Sequence, residues 1–194
     1  MEIEKVCVYC ASSRKADKTY FDEARKLGEI LAKNSITLVC GGGAVGSMGN
    51  IADGALSENG KVIGIIPRFM VDLEWAHKNL TELHVVKSMH ERKHLMLAGV
   101  DAAVALPGGC GTLEELMEAI TWKRLGIFIK PIIIVNTKGY FDNLIKLLEH
   151  SIAENFMSEK HGAMWSVVNN VEDVIPAIKS APLWPNDSRS FAVV

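Results

Sequence analysis

AAVALPGGCGTLEELMEAI, residues 102–120, is the stretch from which the fold can be read. Ala102–Leu106 is an apolar run without alternation, the pattern of a short strand buried on both faces. Pro107 stops it, and Gly108, Gly109 and Gly111 follow within four positions. Apolar residues then return at helical spacing and predict a helix from about Leu113 to Leu125. A buried strand, a glycine loop and a helix make the first half of a strand–helix–strand unit with a parallel partner.

The same arrangement recurs outward along the chain. Ile36–Cys40 reads as a strand, GGGAVGSMG (41–49) as its loop, and a helix runs on through Ala55. Upstream, Val6–Cys10 is a strand and Tyr20, Ala24, Leu27 and Leu31 mark a helix. Val62–Ile66 is stopped by Pro67, and Leu83–Lys87 reads as a short strand. Met89–Gly99 is a helix, Pro131–Asn136 a strand, Phe141–Asn155 a helix, Trp165–Val168 a strand and Val171–Ile178 a last helix. Arg68–Thr81 is less regular. Strands without alternation between helices predict an α/β fold, a doubly wound, mostly parallel sheet flanked by helices. Right-handed crossovers place every strand-to-helix loop on one edge, where such sheets bind ligands. One domain is expected over 1–181, with a loosely ordered tail over 182–194.

Composition narrows the function. The chain has 194 residues, 48% of them hydrophobic, and a net charge of -2. Neither a nucleic-acid-binding charge excess nor a disordered acidic block is present. MEIEKVCVYC has no signal-peptide pattern, and no apolar run reaches the roughly 18 residues of a membrane span. A cytoplasmic protein without nucleic-acid or membrane partners is expected. Strand alternation turns Cys7 and Cys10 to opposite faces, which argues against a shared metal or a redox pair. With Cys40 and Cys110 they suit free thiols in a reducing compartment.

Each glycine loop opens a helix, and the physics favours an anion there. Free N–H groups point outward, the helix dipole is positive, and glycine admits a phosphate. Gly42, Gly43, Gly108, Gly109, Cys110, Gly111 and Thr112 are therefore candidate substrate-binding residues. Tight turns that pack helix on sheet are the plainer explanation. Gly41, Gly43 and Gly46 also spell GxGxxG, but Pro67 and Arg68 stand where a dinucleotide fold needs an acid at the third strand's end. His90, Glu91 and His94 spell the zinc-peptidase HExxH, yet Arg92 and Lys93 lie between them and a metzincin third ligand is missing. No metal and no cofactor are expected. Arg92 and Lys93 read as a cationic pair at a helix start, or as a solvated face.

Thr112 and Glu115 fit a capping box, with Thr112 as the cap. Equally, an ionised Glu115 in the first helical turn would suit a carboxylate that stabilises a sugar cation beside a bound phosphate ester. Both readings stay open here. Glu114 should point elsewhere, into solvent. Cys110 is a minor nucleophile candidate at a helix N-terminus, with no histidine tied to it in the sequence.

Four spaced motifs together resemble the Lonely Guy family of cytokinin-activating phosphoribohydrolases, once labelled lysine decarboxylases. PGGCGTLEE is similar to its PGGxGTxxE, GGGAVGSMG to its GGGxxGxMG, MHERK to its M-H-x-R-K and VYCASS to its VYCGSS; Ala11 and Ser47 depart from the usual loops. The resemblance spans about residues 5–180. It implies a Rossmann-like homodimer that hydrolyses an adenine-type nucleoside 5′-monophosphate, AMP or an N6-substituted one, to free base and ribose 5-phosphate. A long apolar helix face around Leu95–Leu97 and Leu116–Ile120 fits such a dimer, or else the buried core. It places Arg92 and Glu115 at catalytic positions and Lys93 with Gly109–Thr112 at nucleotide-binding ones. Glu74 and Thr121 fall near further binding positions. A pyridoxal decarboxylase finds no support in the residues. A non-catalytic nucleotide-binding or carrier module on the same fold is the alternative.

Overall fold

The computed structural model describes residues 2–73, 75–185 and 192. Seven strands form one sheet in the order β4-β3-β2-β1-β5-β6-β7, and every pairing is parallel. They are β1 (Lys5–Tyr9), β2 (Thr37–Cys40), β3 (Val62–Pro67), β4 (Glu82–Val86), β5 (Ala102–Ala105), β6 (Ile132–Val135) and β7 (Ser166–Val168). Helices α1 (Lys18–Lys33), α2 (Gly46–Ser57), α3 (Arg68–Asp72), α4 (Met89–Leu97), α5 (Cys110–Arg124), α6 (Asp142–Ala153) and α7 (Val174–Ser180) connect them.

The expected doubly wound architecture is present, and its two cores follow from the strand pattern. Val6 and Val8 of β1 pack with α1, α2 and α7, while Cys7 and Tyr9 pack with α4, α5 and α6. Both faces of the strand are covered, so no alternation marks it. Cys7 and Cys10 lie in opposite cores, and both are free thiols, as are Cys40 and Cys110.

The winding reverses beside β1. The chain moves outward through β2, β3 and β4, then returns to lay β5 against the other side of β1. The loops after β1 and β5 therefore leave in opposite directions and open a crevice at the strands' carboxyl ends.

Three expectations need correction. Helix α5 starts at Cys110, not Leu113, with Gly109 as its cap residue. Thr112 thus sits in the first turn and Glu115 in the second, so the capping-box reading fails. Part of the segment read as irregular forms the short α3. The apolar residues of 95–97 and 116–120, read as a dimer face or as core, mostly turn inward: Met96, Leu97, Leu116, Ala119 and Ile120 are buried in the second core. The expected tail lies largely outside the described residues. Its Trp184 is buried and donates from Nε1 to the Lys123 carbonyl at 2.7 Å. Among the described residues, no helix is long and apolar enough to cross a membrane.

Candidate active site

A cleft of about 740 Å3 opens over the reversal point. Three loops wall it: Cys10–Arg14 after β1, the Gly41–Val45 region after β2, and Gly109–Thr112 at the start of α5. Ile66, Met70, Trp75 and Met89 supply an apolar side.

Arg92 and Glu115 meet in its depth. Arg92 is on the first turn of α4 and Glu115 on the second turn of α5. Arg92 Nη1 donates to Glu115 Oε1 at 3.0 Å, and each residue is only 6% exposed. The guanidinium is committed in other directions too: Nε donates to the Ile65 carbonyl at 3.0 Å and Nη2 to the Gly41 carbonyl at 3.4 Å. A side chain on Gly41 would collide with Arg92, so the glycine makes room for the guanidinium. Glu115 Oε2 has no hydrogen bond among the described residues. Burial pushes the Glu115 carboxyl above its ordinary value, while the charge of Arg92 pulls it down. The pair is a carboxylate held in place, partly dehydrated, at the wall of a ligand-sized cleft.

The α5 loop suits an anion. Side chains added at Gly109 or Gly111 would meet open space, and both line the cleft. Gly108 does not line it; a side chain there would strike Thr112. Its carbonyl accepts from the Tyr140 hydroxyl at 2.6 Å, which fixes the turn before the helix. Cys110 is exposed at the cleft mouth.

The first glycine loop is held by a separate device. Gly43 pairs with Ala76 as an isolated antiparallel bridge; His77 N donates to the Gly42 carbonyl at 2.9 Å and Ala44 N to the Trp75 carbonyl at 3.0 Å. His77 is buried, with Nε2 3.0 Å from Asp53 Oδ1 on α2, and its Nδ1 accepts from Asn79 N. Trp75 is thereby set on the cleft wall. Gly42 has φ +75° and lies behind the lining, whereas Gly43 faces it.

Other expected site residues fall elsewhere. Lys93 is not in the lining; it pairs with Glu114 and, at 3.2 Å, with Glu118, and the Glu114 contact raises its ammonium's pKa. Glu114 is exposed, as expected, but rims the cleft rather than standing free in solvent. Thr121 is on the outer side of α5, bonded to the Met117 carbonyl. Glu74 lies outside the described residues. In HExxH, Glu91 turns back to accept from Lys87 N at 2.8 Å, and His94 lies against Trp122. Among the described residues, no group of three metal-ligating side chains is gathered. Sequence reasoning missed Arg14, Tyr140, and the His77–Asp53 pair, since each reaches the site from a distant element. Only the turn-forming TKGY before Tyr140 gave a local signal.

Comparison with known proteins bears on this site. A family model described as possible lysine decarboxylase matches residues 48–178. A cytokinin riboside 5′-monophosphate phosphoribohydrolase of Rhodococcoides fascians is 40% identical over 178 residues, 91% of this chain and 90% of the relative. One from Arabidopsis thaliana is 38% identical over 187 residues, 91% and 88% of the two chains. The molybdenum cofactor carrier protein of Chlamydomonas reinhardtii superposes with a TM-score of 0.71 at 20% identity, covering 93% of this chain and 98% of that one. That likeness shows the fold alone. With the motifs, the fold and the relatives in agreement, the chain belongs to the family of the cytokinin riboside 5′-monophosphate phosphoribohydrolases, the Lonely Guy family its sequence resembles.

Proposed function

We propose that this protein hydrolyses the N-glycosidic bond of adenine-type nucleoside 5′-monophosphates, AMP or N6-substituted forms. Water replaces the base at C1′, giving free base and ribose 5-phosphate. The observation that carries the reading is the buried Arg92–Glu115 pair beside an anion-suited loop. Departure of the base builds positive charge on the sugar. A carboxylate already fixed and dehydrated stabilises that charge without reorganising. Arg92 orients it and favours its ionised form against its burial. The α5 loop, with Gly109, Cys110, Gly111 and Thr112, and Gly43 of the first loop serve binding in this reading. Gly42, Gly108 and Lys93 act behind the lining, by shaping the loops or holding Glu114.

Lysine decarboxylation does not fit these residues. A pyridoxal enzyme needs a lysine at the reacting centre. None is among the described residues lining the cleft, and Lys93 is held by two carboxylates that favour its charged form.

We also propose a cytoplasmic homodimer. Exposed Met89, Met117, Leu125 and Ile127 on α4, α5 and the turn after it offer apolar surface, and Lys93 and Thr121 belong to the same two helices. Light scattering should give twice the chain mass of 21.2 kDa; a monomer at micromolar concentration counts against it. The activity test is incubation with AMP and with N6-isopentenyl AMP, followed by chromatography for free base. Release of base from at least one supports the reading. A protein that binds both and releases neither is a carrier.

A further inference from the structure

The proposed substrate carries a phosphate dianion, so the charges around the cleft decide where it is held. Among the described residues, the charged side chains of the lining are Arg14, Arg92, Glu114 and Glu115. Arg92 is paired with Glu115, and Glu114 with Lys93. Arg14 is left uncompensated: it is exposed, and no described residue makes an ion pair or hydrogen bond with its side chain.

The loop carrying Arg14 is built to hold a position. Met48 N, in the first turn of α2, donates to the Ala11 carbonyl at 3.0 Å. Gly46 has φ +64°, and a side chain there would fall 2.6 Å from the Ser13 carbonyl oxygen, so the loop rests directly on α2. Lys15 N donates to Ser13 Oγ at 3.2 Å, closing a small turn around Arg14. A seated backbone with a free guanidinium at the cleft rim is the arrangement that recognises a phosphate monoester through charge-assisted hydrogen bonds.

Resting on the phosphoribohydrolase reading, we infer that Arg14 is the side-chain cation that binds the substrate's 5′-phosphate, opposite the backbone N–H groups of Gly109–Thr112. Arg92 is committed elsewhere: its charge is met by Glu115, and three of its five N–H groups bond to Glu115 and two carbonyls. The division of labour is then simple: Arg14 and the α5 loop hold the phosphate, and Arg92 serves the carboxylate.

The test separates binding from turnover. Calorimetry measures ribose 5-phosphate on wild type, Arg14→Ala and Arg14→Lys, and kinetics follow base release from AMP and N6-isopentenyl AMP. Losing one charge-assisted contact predicts an Arg14→Ala dissociation constant raised ~10-fold or more. KM should rise in step while kcat stays within about threefold, because the contact is equal in ground and transition states. Arg14→Lys should recover part of the loss, and the salt dependence of KM should flatten in Arg14→Ala. Wild-type-like binding by Arg14→Ala, or no ribose 5-phosphate binding by the wild type, overturns the assignment. A wild type that binds ribose 5-phosphate through Arg14 yet frees no base keeps Arg14 and sinks the hydrolase reading instead.

Discussion

At the residue scale, Glu115 is held between two opposed influences. Its burial favours the neutral acid, and Arg92 favours the carboxylate. If the ionised form stabilises the sugar cation, activity must fall as acid protonates it. Because burial is the larger influence, the acid limb of kcat/KM should lie above the range of an ordinary glutamate. Removing the opposing charge in Arg92→Gln should move that limb further up in pH. The pH profiles of the two proteins check this, and a limb that stays in place removes Arg92 as the tuning group. Glu115→Gln keeps the shape and loses the charge, so turnover should drop at least ~100-fold, with ribose 5-phosphate still bound. Near-normal turnover would return Glu115 to a structural role. The two substitutions should not add, since one side chain acts through the other.

At the element scale, the site depends on where α5 begins. A start at Cys110 puts Gly109 at the helix cap and carries Glu115 inward to Arg92. Tyr140, from the turn after β6, fixes the Gly108 carbonyl and thus the approach to that start. Tyr140→Phe removes one hydroxyl at little cost in packing. We expect KM for the nucleotide to rise ~3–10-fold with kcat little changed, the size of one net hydrogen bond. Steady-state kinetics read this directly. A fall in kcat at unchanged KM would mean that the hydroxyl serves the reaction itself.

At the scale of the whole molecule, one buried charge sits far from the chemistry. Lys123 is 2% exposed, donates to the Lys130 carbonyl at 3.0 Å and lies over the Trp184 ring. Burial lowers its pKa from 10.5 to about 8. The folded value is below the unfolded one, so between about 8 and 10.5 the unfolded chain holds a proton that the folded chain has released. Stability from this group is therefore full above the unfolded value and is lost as pH falls through the folded one. Lys123→Met should be the more stable protein at pH 7, and its advantage should shrink by up to roughly 3 kcal/mol toward pH 10. Urea unfolding at the two pH values measures the gap; an advantage that does not change with pH shows that the ammonium is not the cause.

The sequence by itself determined the layered parallel sheet and the two glycine loops at helix starts, and it singled out Arg92 and Glu115. These are local matters: apolar runs, turn residues and short motifs carry their own physical reasons. It misplaced the start of α5, because glycines admit both loop and helix and Thr112 has two plausible positions in the capping pattern. It also left the apolar faces of α4 and α5 open between dimer contact and core, since periodicity shows that a face is apolar but not what covers it. Only the tertiary structure decided that Arg92 and Glu115, 23 positions apart, meet at 3.0 Å, that Lys93 turns away to Glu114, and that Arg14 stands at the rim unpaired among the described residues. Charge pairing across helices depends on how α4, α5 and the β1 loop converge at the point where the sheet reverses, and no local stretch of sequence encodes that convergence.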